Sequence, residues 1–115
     1  MTETEFLNLI EKVFSQIEIA IEKIDPEIDC ENTGGVLKLI FPNGTQVILN
    51  KQTPLFQLWL AGKSQGYHFD YKDGAWICNR SGKDFTTIFN EVCSEAYSQP
   101  ITVIASSRSN LDFQE

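Results

Sequence analysis

Seven carboxylates, Glu11, Glu18, Glu22, Asp25, Glu27, Asp29 and Glu31, are the residues of this chain whose types and spacing best suit chemistry. Glu11, Glu18 and Asp25 recur every seven residues and Glu22 follows Glu18 by four. On a helix that spacing brings all four to one flank. Glu27, Asp29 and Glu31 alternate with other residues, and on a strand they share one face. Set side by side, the two rows make a ridge of anionic oxygen without preorganised geometry. Such a ridge suits hard cations such as Fe3+, Ca2+ or Mn2+, and Fe2+ with less selectivity. No cysteine or histidine pair accompanies it, which argues against a tight zinc site or an iron–sulfur cluster.

The charge distribution points to the same stretch. Residues 1–31 hold nine acids against Lys12 and Lys23, which is the whole formal net charge of −7, and beyond them acids and bases cancel. Crowded like charges repel, and a cation or a basic partner relieves that repulsion. The plain alternative is that these acids are only the solvated side of an amphipathic helix and an edge strand.

The elements that must position the ridge can be read from periodicity. Phe6, Leu9, Ile10, Val13, Phe14, Ile17, Ile21 and Ile24 form one apolar stripe, which predicts a helix over 4–24. Thr2 and Glu5 have capping-box spacing at its start, and Asp25-Pro26 ends it. Residues 27–31 alternate as a half-buried strand. Strands follow over 36–41 and 45–50 around Asn43-Gly44, over 55–61, and over 67–71 and 75–79 around Asp73-Gly74. Ser81 and Asp84, again with capping-box spacing, precede a second amphipathic helix carrying Phe85, Ile88, Phe89, Val92 and Ala96. Pro100 stops that region and Ile101–Ile104 reads as a short final strand. The order predicts an α+β two-layer sandwich, with both helices on one face of an antiparallel sheet of about five or six strands. Residues 1–105 read as a single domain and 106–115 as a polar tail.

Composition is that of an ordinary globular domain, 42% hydrophobic and 22% charged. The acidic N-terminus does not resemble a signal peptide, and no apolar run approaches the ~20 residues that span a bilayer. Cys30, Cys78 and Cys93, odd in number and widely separated, read as reduced thiols, so the expected location is the cytoplasm. The acidic balance argues against binding nucleic acid. There is no nucleophile motif and no glycine-rich phosphate loop, so no enzyme is expected. The lone His68 reads as a surface or packing residue. In the segment from Asn50 to Ala61, the strand alternation puts Phe56, Leu58 and Leu60 in the core, and Gln57, Trp59 and Ala61 on the open face. An open-face tryptophan beside Asn50 and Gln57 is a candidate anchor for a partner.

Taken together, several segments resemble the frataxin family, in its bacterial CyaY-type branch. They are Asp29-Cys30-Glu31 before Gly34-Gly35-Val36-Leu37, Asn50-Lys51-Gln52 with Pro54, Gln57 and Trp59-Leu60-Ala61, then Gly66-Tyr67-His68-Phe69-Asp70, and Trp76-Ile77-Cys78 with Arg80-Ser81-Gly82. Their order and spacing match over residues 3–104. The resemblance implies weak binding of Fe2+ and Fe3+ along Glu11, Glu18, Glu22, Asp25, Glu27, Asp29 and Glu31. It also implies a regulatory part in iron–sulfur cluster assembly, with a cysteine desulfurase docking on the ridge and a scaffold protein as a further partner. Glu18, Glu22, Asp25, Asn50, Gln57 and Trp59 are the expected partner-binding residues, and a monomer that oligomerises with iron is the expected state. Where the family often has adjacent acidic pairs late in the helix, this chain has Glu18-Ile19 and Glu22-Lys23, which thins the carboxylates. The competing reading is an acidic interaction module of the nucleic-acid-mimic type that needs no metal. A ferroxidase or ferritin-like store would require buried Glu-x-x-His motifs, which are missing from the sequence.

Overall fold

The first helix, α1, runs Glu3–Ile24 and begins on a full capping box. The Glu5 backbone N–H donates to Thr2 Oγ1 at 3.1 Å, and the Thr2 N–H donates to Glu5 Oε1 at 2.7 Å. Two of the helix's otherwise unpaired donors are thereby satisfied. Its stripe is buried at Phe6, Ile10, Phe14, Ile17 and Ile21. The structure, a computed structural model, describes residues 1–105; the polar tail at 106–115 lies outside the described residues.

Six strands follow: β1 (Asp29–Thr33), β2 (Val36–Ile40), β3 (Gln46–Gln52), β4 (Gln57–Ala61), β5 (Gly66–Lys72) and β6 (Ala75–Cys78), then α2 (Phe85–Tyr97). They form one antiparallel sheet in chain order, β1 to β6. Along β2, β3 and β4 every second residue is buried: Leu37 and Leu39, Val47 and Leu49, Leu58 and Leu60. Cross-strand pairs such as Leu39–Val47, Leu49–Leu60 and Leu58–Phe69 line these up on one face. Both helices cover that face, and Phe6, Ile17, Phe89, Cys93 and Ala96 complete the core. Truncating one of these leucines to alanine should cost ~2–5 kcal/mol. Among the described residues no helix covers the other face of the sheet, as the pattern predicts.

Several boundaries differ from the sequence expectation. Glu27 precedes β1 instead of opening it, because Asp25 Oδ1 accepts from the Glu27 N–H at 2.9 Å and folds residues 25–28 into a turn. Only Asp29 and Glu31 therefore share a strand face. Residues 53–55 form a short 3-10 turn, and Phe56, at φ 52°, turns back to pack on Phe6 with ring centroids 5.4 Å apart. Phe41 lies beyond β2 yet is buried, and Asn79 lies beyond β6. The cap of α2 is Asp84, whose Oδ1 accepts from the Thr87 N–H at 2.9 Å, so Ser81 is not the cap. Residues 101–104 form no strand. Ser94 and Asn90 on α2 hold that segment by side-chain hydrogen bonds to the backbone of Ile101, Val103 and Ile104, with Val103 buried.

Candidate functional site: an acidic edge and an open-face tryptophan

The stripe that buries one side of α1 leaves Glu11 and Glu22 exposed and Glu18 half-buried on another. After the turn, β1 runs as an edge strand with Asp29 and Glu31 exposed. Glu18, Glu22 and Asp29 come together around a cleft of about 330 Å3, whose remaining lining is Ile21, Pro26, Ile28 and Cys30. Of the strand row only Asp29 reaches this cleft; Glu11, Glu27 and Glu31 do not line it. Among the described residues, no three His, Cys, Asp or Glu side chains are grouped as a ready metal-ligand set. The carboxylates are hard oxygen donors spread along a surface. Cys30 adds no thiolate at neutral pH, because burial and then the nearby Glu18 charge push its thiol up to about 11. Burial alone pushes Cys93 up to about 12.

Asp25 differs from the other ridge acids. Both its oxygens are engaged, Oδ1 by the Glu27 N–H and Oδ2 by the Tyr97 hydroxyl at 2.8 Å. These bonds, the backbone one first, hold its carboxyl below the usual range. Asp25 ties the end of α1 to the end of α2. Tyr97 gave no sign of this in the sequence, since the pairing spans 72 residues.

A second constellation occupies the open face of the sheet. Trp59 on β4 sits directly across from His68 on β5 and Asn50 on β3. The indole and imidazole rings stack with centroids 4.0 Å apart and planes 8° from parallel. Trp59 Nε1–H donates to Gln57 Oε1 at 2.8 Å, and Gln57 Nε2–H donates to Asp70 Oδ1 at 3.0 Å. Trp59 is therefore half-buried on the open face, with its polar handle satisfied and its ring fixed flat. His68 and Asp70 are part of this platform; the sequence reads His68 as a surface or packing residue, which its exposed stack on Trp59 fits, and gives no role to Asp70. The strand register was the missing signal, because it alone puts them beside Trp59 and Gln57.

Two helices on one face of a six-stranded antiparallel sheet, with an acidic edge strand, define a two-layer α+β sandwich of a known kind. A family model described as a frataxin-like domain matches residues 1–99. The chain belongs to the frataxin family. It is 44% identical over 103 residues to the iron-sulfur cluster assembly protein CyaY of Tolumonas auensis, covering 90% of this chain and 99% of that one. It is 45% identical over 94 residues to the protein of the same name from Photobacterium profundum, covering 82% and 90%. Among solved structures, the frataxin from Psychromonas ingrahamii superposes with a TM-score of 0.82 at 34% identity, covering 91% of this chain and 100% of that one. The trimeric frataxin of Saccharomyces cerevisiae, complexed with ferrous iron, gives 0.67 at 28% identity, covering 86% and 88%.

Proposed function

We propose that this protein serves iron–sulfur cluster assembly as a non-enzymatic, cytoplasmic regulator that binds iron weakly on its acidic edge and docks there on a cysteine desulfurase. The observation that carries the reading is the convergence of Glu18, Glu22 and Asp29 on one exposed cleft beside β1. Exposed carboxylates suit Fe2+ and Fe3+ as hard-ligand cargo that must also be released. Relatives named as iron-sulfur cluster assembly proteins, and a neighbour crystallised with ferrous iron, support the same reading. Glu11, Glu27 and Glu31 extend the ridge beyond the cleft. Asp25, with both oxygens engaged, contributes negative potential to it. No helix among the described residues is long and apolar enough to cross a membrane.

The open-face platform gives the second contact. Asn50, Gln57 and Trp59 offer the scaffold protein a rigid aromatic anchor with a polar rim, the usual make-up of an interface hot spot. Glu18 and Glu22 lie on the helix side of the sandwich and Trp59 on its open face, with Asp29 and Glu31 on the edge strand of that open face, so one assembly can engage both. The protein is read as a single domain over 1–105 and as a monomer that associates when iron is added.

The test is an amide-resolved iron titration paired with desulfurase binding on the same sample. Iron should broaden signals mainly between Glu11 and Glu31, and desulfurase should compete with it. Broadening centred on His68 or Cys78 would overturn the ridge as the metal surface. Desulfurase binding unaffected by loss of the ridge charge would overturn it as the docking surface. Binding to a basic partner that iron leaves unchanged would instead favour the metal-independent acidic module.

A further inference from the structure

The cleft and the edge strand beside it have a geometry that charge alone does not require. Among the described residues β1 pairs with β2 and has no partner on its other side. Its hairpin to β2 turns on Gly34 and Gly35, at φ 62° and 84°, a left-handed pair that glycine adopts without strain. That two-residue turn fixes which backbone groups are paired. Gly35 C=O accepts from the Lys51 N–H, toward β3, so the adjacent Val36 directs its groups to β1. Counting along the register, Thr33, Glu31 and Asp29 exchange bonds with β2. Cys30 and Asn32, the alternate residues, therefore aim their N–H and C=O groups outward, away from the sheet.

We propose that this free edge of β1 takes an extended basic peptide segment by strand addition, as a seventh, antiparallel strand. The inference rests on the ridge docking a basic partner and specifies the backbone contact by which it does so. Charge complementarity chooses the occupant. Asp29 and Glu31 stand on the open-face side of β1, while Glu18 and Glu22 rim the cleft on the helix side. An added strand thus meets carboxylates on both of its faces. Charged side chains on an edge are also a way to refuse other strands. These two refuse a second copy of β1 and accept lysine or arginine. The apolar surface that the cleft offers is the exposed Pro26 and the half-buried Cys30, with Ile21 and Ile28 behind them almost wholly buried. It suits an aliphatic side chain, or the methylene stem of a long basic one whose head reaches Glu18 or Glu22. Main-chain bonds to Cys30 and Asn32 would supply affinity, and the alternation of side chains would supply selectivity.

The probe is a capped eight-residue peptide of alternating lysine and valine, with lysines opposite Asp29 and Glu31 and valines opposite Cys30 and Asn32 on the helix side. In that register the valine nitrogens are the ones that face Cys30 and Asn32. A second peptide, N-methylated at those valines, keeps the charge and removes the donors. Strand addition predicts that the first peptide slows hydrogen exchange at the Cys30 and Asn32 amides by about tenfold or more. It also predicts that N-methylation weakens binding by about tenfold, the loss expected for one or two hydrogen bonds. Asn32→Pro, which removes one outward N–H at an edge position proline tolerates, should lower affinity for the plain peptide while circular dichroism is unchanged. Equal binding of the two peptides would overturn strand addition and leave the charged ridge standing. Failure of both to bind would also overturn it, and the desulfurase measurement would then decide the ridge separately.

Discussion

The acidic edge and the Trp59 platform both reach solvent, yet they are built by opposite means. On the edge, Glu18, Glu22, Asp29 and Glu31 have no described hydrogen-bond partner, and their order comes only from the helix and strand that carry them. On the open face, Asp70, Gln57, Trp59 and His68 form a connected chain of hydrogen bonds and ring stacking. A loose field of charge acts at a distance, is screened within a Debye length of ~8 Å at physiological ionic strength, and tolerates the loss of one member. A locked aromatic acts only on contact and depends on each neighbour that holds it. On the proposed function, the molecule would separate steering from grip.

The largest effect should come from reversing the field. Glu18→Lys with Glu22→Lys, sparing Asp25 and its structural bonds, should weaken desulfurase binding by about 100-fold at low salt. Titration calorimetry at two salt concentrations would show it; a loss that stays the same at high salt would mean that these residues act by contact. Next comes Trp59→Ala, which should leave the circular dichroism intact and weaken the scaffold contact by about 30-fold, the size of an interface hot spot. An unfolded variant would make Trp59 part of the core and break the comparison. Gln57→Leu should cost less, about fivefold in the same contact: it removes both hydrogen bonds of the Gln57 amide, of which the one that holds the indole N–H, at ~1 kcal/mol, bears on the ring. Nanosecond fluorescence anisotropy should then report a more mobile indole, and an unchanged anisotropy would show that His68 alone fixes the ring.

The smallest effect belongs to the tie between the two helices. Tyr97→Phe removes the bond to Asp25 Oδ2 and should lower thermal stability slightly at neutral pH. The folded-state pKa of Asp25 lies below the ordinary carboxylate value. Its contribution is therefore complete above that ordinary value and is lost as pH falls through the folded one. The stability gap between wild type and Tyr97→Phe should close over that acidic window. A gap that persists unchanged at lower pH would assign the effect to packing of the Tyr97 ring on Phe41 instead.

Much of this contrast was legible in the amino-acid order. The stripe on α1, the Asn43-Gly44 and Asp73-Gly74 turns and the alternation around Trp59 each rest on local chemistry, and each led to the observed element. What escaped was set by contacts distant in sequence or by competing side-chain hydrogen bonds. Asp25 looks like one more ridge acid until Tyr97 reaches it from α2. Glu27 fits the alternation of a strand, but the Asp25 carboxylate captures its N–H and delays β1 until Asp29. Ile101–Ile104 has the composition of a strand, but Asn90 and Ser94 satisfy its backbone in place of a neighbouring strand. His68 and Asp70 are ordinary strand residues until the register sets them beside Trp59 and Gln57.

The central claim, that steering and grip reside in separate regions, is tested most directly by one set of salt titrations. Affinity for the assembled desulfurase–scaffold complex would be measured across ionic strength for wild type, Glu18→Lys with Glu22→Lys, Trp59→Ala, and the combined variant. The account predicts that the charge reversal flattens the salt dependence, and that Trp59→Ala shifts the wild-type line downward without changing its slope. The two losses should add in the combined variant to within ~0.5 kcal/mol, as for distant independent sites. A changed slope for Trp59→Ala, or losses that fail to add, would show that the edge and the platform form a single surface and would contradict the account.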